Sequence, residues 1–171
     1  MKPQPTSRSI AYEPDQHDAS QFDCGQQGLN HWLTASAAHA RRMGTAGTFV
    51  WVSNGNVVGY YALAPHIVVA DALPKSIGRG SPVSVPSYLI GKLALDRSLQ
   101  GKGAGQALLL DALIRVVSAS THIPGRLVVL DAVDEITAAF YERFGFIRCP
   151  GNELSLLMKM STAAALAVGA T

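Results

Sequence analysis

The sequence contains few of the features that mark secreted, metal-binding or membrane-spanning proteins. Among its 171 residues are two cysteines, Cys24 and Cys149, which provide neither a disulfide framework nor the C-x-x-C spacing of a metal site. No apolar run reaches the roughly 18 residues of a membrane-spanning helix, and the opening stretch MKPQPTSRSI lacks the apolar core of a signal peptide. These absences predict a reduced cytoplasmic protein that has no metal and does not contact a membrane.

Charged side chains are also scarce, at 15% of the chain, and the formal net charge is +2. That charge is unevenly distributed, because the span from Cys24 to Lys102 holds seven basic residues and two acidic ones. Its balance of +5 leaves −3 for the rest of the chain. A basic region of this kind favours an anionic partner, although the same side chains scattered over several faces would not form a binding surface.

Apolar periodicity and turn residues predict the secondary structure. A helical region before Gly44 is followed by a hairpin around Asn54-Gly55, whose second strand is expected to end at Pro65. A long, partly irregular excursion is expected over 66–87. The remaining predicted elements are a strand at 87–95, a buried helix at 105–120, a strand at 126–133, a helix after the N-cap Asp134, and two closing strands.

The order of these elements, α, β, β, β, α, β, α, β, β, predicts an α/β protein. Its mixed sheet is expected to be antiparallel at first, with a strand–helix–strand crossover in the middle. A single domain is expected over residues 1–171, with a core from about 8 to 160 and a flexible tail at 161–171.

Three glycines lie within the five residues from Gly101 to Gly105, between the predicted strand and the buried helix. A Walker loop requires Ser or Thr after its lysine, whereas Lys102 is followed by Gly103. A dinucleotide-binding turn requires G-x-G-x-x-G, but its last position is Gln106. Two interpretations remain: a tight turn without further role, or a strand–loop–helix turn whose backbone N–H groups bind an anion at the start of the helix.

The pattern Gln100-x-x-Gly103-x-Gly105 resembles motif A of the GNAT superfamily of N-acetyltransferases, and AFYERFGF (139–146) is similar to motif B. The resemblance implies a GNAT-like mixed, mainly antiparallel sheet with a central β-loop-α crossover that binds acetyl-coenzyme A. It also implies which backbone groups hold that cosubstrate: Leu93, Ala94 and Leu95 for the pantetheine and thioester, and Gln100, Gly101, Lys102, Gly103, Ala104 and Gly105 for the pyrophosphate.

Four segments in order, FDCGQQGLNHWL, ARRMGTAGTFVWV, VVGYYALAP and LALDRSLQGKGAGQALLLDAL, resemble the GNAT-type toxins of bacterial toxin–antitoxin systems. The resemblance extends from about Phe22 to Met160. It implies acetylation of the amino acid on aminoacyl-tRNA, which blocks translation, as well as a homodimer and neutralisation by a ribbon-helix-helix antitoxin. Leu99 and Ala104 depart from the family pattern, in which an aromatic and a larger aliphatic residue are usual, and this bears on packing only.

Tyr141 is the predicted catalytic residue, because the resemblance places it near the coenzyme sulfur. A phenol with a pKa of about 10 stays protonated at neutral pH and can donate to a departing thiolate. The alternative is a core aromatic, since phenylalanines surround it in the sequence. No general base stands out, which favours an α-amine, with a pKa of about 7.7–8.0, over a lysine at about 10.4.

An aminoacyl-tRNA substrate would give the basic span a function, because phosphate contacts supply most of the affinity for nucleic acids. Two other functions stay open. An acetyltransferase for a small amine or a protein N-terminus leaves the basic span unused, and a non-catalytic coenzyme A-binding regulator leaves Tyr141 unexplained. The predicted tRNA-binding residues are Arg41, Arg42, Arg79, Lys92 and Arg97, with Lys102 as a further candidate.

Overall fold

The computed structural model describes residues 8–170, which form a seven-stranded sheet with six α-helices. The strands are β1 (Ile10–Ala11), β2 (Gly47–Ser53), β3 (Asn56–Val69), β4 (Ser84–Leu95), β5 (Leu127–Asp131), β6 (Ile147–Cys149) and β7 (Asn152–Lys159). The helices are α1 (Gln27–Ala35), α2 (Ala37–Arg42), α3 (Lys75–Gly78), α4 (Ala104–Ser120), α5 (Glu135–Glu142) and α6 (Met160–Gly169).

The strand order in the sheet is β1-β2-β3-β4-β5-β7-β6. β4 and β5 pair in parallel, with Ser87 opposite Leu127, whereas β1–β2, β2–β3, β5–β7 and β6–β7 pair antiparallel. The parallel pair is joined by α4, as expected because parallel neighbours need a crossover connection. The predicted mixed, mainly antiparallel sheet with a central β-loop-α crossover is thus confirmed.

The chain divides into two compact units. The first comprises the chain up to Ala64 together with Lys92–Ala112, and the second comprises Pro65–Gly91 together with Leu113–Thr171. The first unit contains the predicted hairpin, and its turn residues Asn54 and Gly55 have φ of 50° and 80°. Both values lie in the left-handed region that a two-residue hairpin turn requires.

The core of the first unit lies where α1 and α2 cover the hairpin. Val50 and Tyr60 are opposite each other on β2 and β3, and both are fully buried. Leu33 and Ala37 pack into the same cluster from the two helices. The alternation of strand residues therefore buries one face against these helices.

Two boundaries differ from the sequence prediction. Pro65 was expected to end the second hairpin strand, but β3 continues to Val69, and β4 already begins at Ser84. A proline has a fixed φ that an extended backbone accepts, so it removes one N–H donor without ending the strand. The excursion between these strands is partly regular, because it includes α3.

The second unit has its own core, in which Val68, Leu73 and Ile77 of the excursion pack against Val129 of β5 and Leu157 of β7. Helix α5 begins at the predicted N-cap, where the Asp134 carboxylate accepts the backbone N–H of Thr137 at 2.8 Å. This bond satisfies one of the N–H groups that every helix leaves without an intrahelical acceptor.

The expected flexible tail at 161–171 is wrong as far as the structure describes it, because residues 160–169 form α6. The helix packs against β5 and β7, and its Ala163 and Ala167 are buried. Alanine is the best helix former and allows close approach to a sheet. Small residues of this kind show no amphipathic pattern, so the sequence alone does not predict this helix.

Candidate functional site

The glycine loop runs from the end of β4 at Leu95 to the start of α4 at Ala104. Gly101 and Gly103 have φ of 75° and 80°, which other residues rarely adopt. A Cβ at either glycine would meet no atom within 4 Å, so the outer side of the loop is open. The first N–H groups of α4 have no intrahelical acceptor, and the helix adds its positive end. This geometry can bind an anion through the main chain.

Side chains fix the loop to the protein. The Gln100 side-chain amide donates to the Leu95 carbonyl at 2.8 Å and to the Cys24 carbonyl at 2.9 Å. The Asp96 carboxylate accepts both the N–H and the hydroxyl of Ser98, at 3.0 and 2.7 Å. Lys102 Nζ donates to the Ser98 carbonyl at 2.8 Å. The loop is therefore held in shape by hydrogen bonds within the protein.

The predicted pyrophosphate-binding residues differ in what their backbone does. The Gln100 N–H already donates to the Arg97 carbonyl at 3.2 Å, which closes a short 3₁₀ turn. Gly101 and Lys102 lie on the exposed outer part of the loop together with Gly103, and Ala104 and Gly105 open the first turn of α4. The amides of 101–105 are thus better candidates for an anion than that of Gln100.

Leu93, Ala94 and Leu95, which the family resemblance implies hold the pantetheine, form the last residues of β4. Ala94 and Leu95 are buried, and Leu93 is partly exposed. Ala94 packs into the core cluster that α1 shares with the hairpin. The side chains therefore anchor the strand, and only its backbone could pair with an extended ligand.

Tyr141 lies in the second unit, on the inner side of α5, and is 4% exposed. Its ring centroid is 5.5 Å from that of Phe140 and 5.9 Å from that of Phe146. Burial raises the pKa of the Tyr141 phenol to about 12. The phenol is therefore fully protonated at neutral pH, as a hydrogen-bond donor must be.

Arg148 of β6 binds both ends of α5, a contact that the sequence analysis missed. Its Nε is 2.6 Å from Glu142, and two other guanidinium nitrogens are 2.6 and 2.8 Å from the Glu135 carboxylate. These ion pairs fix the helix that carries Tyr141 to the neighbouring strand. No sequence signal reveals them, because the acids and the arginine meet only through the packing of β6 beside α5.

The predicted tRNA-binding residues of α2 lie at its last turn. Arg41 and Arg42 line a cavity of about 620 Å³ in the first unit. Both are exposed, and Arg41 pairs with Glu13 at 3.3 Å, whereas Arg42 has no acidic partner among residues 8–170. Arg42 is therefore the better candidate of the two for a phosphate contact.

The other predicted basic residues have distinct surroundings. Arg97 pairs with Asp23 at 3.5 Å, and Lys92 Nζ lies 5.7 Å from the centre of the Trp32 ring. Arg79 follows α3 in the second unit and is exposed. Two of the five arginines and lysines are thus engaged by acids and one by an aromatic ring, which weakens the expectation of a uniform basic surface.

Cys149 lines a cavity of about 240 Å³ in the second unit. Burial raises the pKa of its thiol, and a protonated thiol is a poor nucleophile. Within residues 8–170, no three or more His, Cys, Asp or Glu side chains are grouped to hold a metal ion. No helix in that range is long and apolar enough to cross a membrane.

Comparison with known proteins identifies the class of protein. Residues 44–148 match the family model described as acetyltransferase (GNAT) domain. The chain therefore belongs to the GNAT acetyltransferase family, as its glycine loop and sheet topology indicate.

The similarity extends to a particular group of these enzymes. A tRNA-acetylating toxin of Mycobacterium tuberculosis is 36% identical over 152 residues, which cover 89% of this chain and 92% of that protein. The solved structure of AtaT complexed with acetyl-methionyl-tRNAfMet has 32% identity and a TM-score of 0.85, covering 95% of this chain and 99% of that chain. A phenylalanine-for-tyrosine variant of AtaT, bound to the C-terminus of the antitoxin AtaR and acetyl-CoA, has 29% identity and a TM-score of 0.79. The alignment covers 92% of this chain and 96% of that chain.

Proposed function

We propose that this protein transfers the acetyl group of acetyl-coenzyme A to the α-amino group of an aminoacyl-tRNA and thereby acts as a toxin that blocks translation. The observation that carries the proposal is the 36% identity with a tRNA-acetylating toxin across nearly the whole chain. The open, glycine-containing anion site before α4 supplies the donor side that such a reaction needs.

On the donor side, the backbone N–H groups of residues 101–105 bind the coenzyme pyrophosphate, and the backbone of Leu93–Leu95 holds the pantetheine arm. Gly101 and Gly103 allow the phosphates to approach the main chain because their outer side is open. The positive end of α4 favours the negative charge. Lys102 contributes less, because the site is made of main-chain groups and its ammonium is held at the Ser98 carbonyl within the loop.

The reaction forms a C–N bond and breaks a C–S bond. The neutral α-amine attacks the thioester carbonyl, the coenzyme leaves as a thiolate, and the new ammonium loses a proton. Tyr141 donates a hydrogen bond to the leaving sulfur. Because an ordinary thiol has a pKa of about 8.5 and burial raises that of Tyr141 to about 12, complete proton transfer from the phenol alone is uphill. We expect the donation to be concerted with proton loss from the ammonium.

On the acceptor side, exposed arginines contact the phosphates of tRNA. Arg42 in the first unit and Arg79 in the second are the strongest candidates, since both are exposed and, unlike Arg41 and Arg97, pair with no acidic side chain among the described residues. Arg41, Lys92 and Arg97 remain candidates, although their charges are engaged by Glu13, Trp32 and Asp23. A homodimer and neutralisation by a ribbon-helix-helix antitoxin belong to the same proposal, and the complex of AtaT with the C-terminus of AtaR supports the antitoxin part.

The decisive experiment supplies the purified protein with labelled acetyl-coenzyme A and charged tRNAs separated by amino acid. We expect acetylation of one or a few aminoacyl-tRNAs and no reaction with uncharged tRNA. The double variant Arg42→Glu/Arg79→Glu should lower the rate on charged tRNA and keep coenzyme affinity, whereas Lys159→Glu, an exposed cation outside the basic span, should not. The rate should also fall steeply with salt concentration. Acetylation of small amines but of no tRNA would replace the proposal by the small-amine alternative.

A further inference from the structure

The segment Phe22–Gly25 before α1 is fastened directly to the glycine loop. The Arg97 N–H donates to the Asp23 carbonyl at 2.9 Å, and the Asp23 N–H donates to the Asp96 carboxylate at 3.0 Å. The Gln100 side chain reaches the Cys24 carbonyl, and the Arg97 guanidinium pairs with the Asp23 carboxylate. Four contacts thus join two segments that are more than 70 positions apart in the chain.

Gly25 completes this junction. Its φ is 90°, and a Cβ there would lie 3.3 Å from Arg97 Nε, so a side chain would displace the guanidinium. The junction continues into α1, because the Cys24 N–H donates to Asn30 Oδ1 at 2.9 Å and Asn30 Nδ2 donates to Asp23 Oδ1 at 3.0 Å. The loop, the segment and the first turn of α1 therefore form one hydrogen-bonded assembly.

The chemistry of these side chains excludes direct binding of an anion by most of them. Asp23 and Asp96 would repel a pyrophosphate, and their charge is instead satisfied by N–H groups and by Arg97. Both N–H groups of the Gln100 amide are used on carbonyls, which leaves it no donor for a phosphate. The residues fit a scaffold for the loop better than a ligand shell.

We propose that Asp96 and Gln100 are positioning residues that lock the coenzyme loop onto the Phe22–Gly25 segment, so that coenzyme binding and the order of residues 23–30 are coupled. The inference rests on the proposed function, because it takes the ligand of the loop to be the coenzyme pyrophosphate. A loop with two glycines at positive φ is flexible by itself, so ordering it costs conformational entropy. If the loop is already ordered before the ligand binds, this entropy cost does not reduce the affinity.

The test compares coenzyme A with pantetheine, which lacks the pyrophosphate, by calorimetry on the full chain. Gln100→Met keeps the length of the side chain and removes both hydrogen bonds, and Asp96→Asn removes the charge at the junction. Each variant is expected to weaken coenzyme A binding roughly tenfold or more, the usual effect of one or two lost hydrogen bonds, and to weaken pantetheine binding much less. Gln27→Ala, an exposed glutamine at the start of α1, is the matched control and should bind both ligands as the wild type does.

Hydrogen exchange on the wild-type protein keeps the proposal testable if a variant fails to fold. Coenzyme A should slow exchange at residues 23–30 as well as at 101–106. Protection confined to the loop would overturn the coupling, as would a variant that loses affinity for both ligands equally or for neither. Failure of the wild-type protein to bind coenzyme A would instead refute the proposed function itself.

Discussion

The glycine loop of the first unit and helix α5 of the second carry their predicted chemistry in opposite ways. The loop is exposed, is held by hydrogen bonds and offers its main chain to a ligand, with Gly101 and Gly103 at positive φ. Helix α5 is fixed by the ion pairs of Arg148 at its two ends and by apolar contacts on its inner side, where Tyr141 lies among phenylalanine rings. What α5 offers is a single hydroxyl.

This difference determines which substitutions each region tolerates. A site made of main-chain groups changes little when an exposed side chain such as that of Lys102 is removed, and it fails when a glycine is replaced. A site made of one side chain fails when one atom is removed, even if the packing survives. The predictions below test these two expectations and the stability of each region.

The largest effect is expected from Tyr141→Phe. The change removes one oxygen and keeps the ring contacts, so acetyl transfer should fall by about 10²–10⁴-fold, the usual contribution of a positioned acid. Coenzyme affinity and melting temperature should remain close to those of the wild type. Transfer rates and calorimetry on one preparation measure all three quantities.

The matched control is Tyr88→Phe, which removes the hydroxyl that donates to the Ile123 carbonyl in the same unit. It should cost about 1 kcal/mol of stability and leave the transfer rate unchanged. An unaltered rate in Tyr141→Phe would remove this tyrosine from the mechanism and leave it as a core residue.

The second effect distinguishes backbone strain from loss of a binding site. Gly103 and Gly55 both have φ of 80°, and a Cβ at either would meet open space. Replacement of either glycine by alanine should therefore lower the free energy of unfolding by a similar amount, about 1–2 kcal/mol. Only Gly103→Ala should also weaken coenzyme A, roughly 10²-fold for the loss of a main-chain contact to a charged group.

Calorimetric titration of the two alanine variants with coenzyme A makes this comparison. Gly103→Val should have the stronger effect, because a branched side chain occupies more of the space that the phosphates need. Equal coenzyme affinity in Gly103→Ala and Gly55→Ala would show that the loop does not hold the pyrophosphate.

A third effect concerns packing in the second unit. A Cβ at Gly125 would lie 2.8 Å from two atoms of the Tyr88 ring, which is closer than any real contact. Gly125→Ala should therefore lower the free energy of unfolding by about 1–3 kcal/mol, as overpacking usually does. Tyr88→Leu should recover part of this loss, so thermal unfolding of the single and double variants measures the coupling. Additive effects would contradict a direct clash.

The smallest effect is a pH dependence in the first unit. Burial by itself would raise the pKa of Asp111 on α4, but hydrogen bonds from Ser9, Trp51 and Tyr61 hold it below its ordinary value. A carboxyl whose pKa is lower in the folded state stabilises the protein above its unfolded pKa of about 3.9 and loses this contribution as pH falls through the folded value.

Asp111→Asn should therefore destabilise the protein by about 1 kcal/mol at pH 7, the usual worth of a hydrogen bond, and by less near pH 3. Urea unfolding at the two pH values measures the change. Asp15→Asn, at an exposed aspartate of the same unit, is the control. A deficit that stays constant between the two pH values would show that the network does not depend on the charge.

Local sequence patterns predicted the elements whose conformation depends on residues close together in the chain. The Asn54-Gly55 turn, the Asp134 cap and the buried helix α4 were expected because turn chemistry and apolar periodicity act within a few residues. The predicted end of the second hairpin strand at Pro65 was wrong, because the local sequence does not distinguish a proline inside a long strand from a proline after a short one. Helix α6 was missed because its alanines give no periodic signal.

The part of the candidate site that could be predicted from the sequence is the backbone conformation of its glycines. Positive φ can be inferred for Gly101 and Gly103 from residue type alone. The hydrogen bonds that support the loop cannot be inferred from the sequence, because the contact between Cys24 and Gln100 depends on where two distant segments meet. The same reason hid the ion pairs of Arg148 with Glu135 and Glu142.

By itself, the sequence determined the order of the elements and the residues that can carry chemistry, and its resemblance to known enzymes indicated the family. The first two features follow from residue type and short-range spacing. Only the tertiary structure decided that Arg97 and Arg41 form ion pairs with acidic side chains and that the Gln100 amide donates to backbone carbonyls. It also decided that burial raises the pKa of the Tyr141 phenol. Charge pairing and desolvation depend on distances in space, which the chain acquires when it folds.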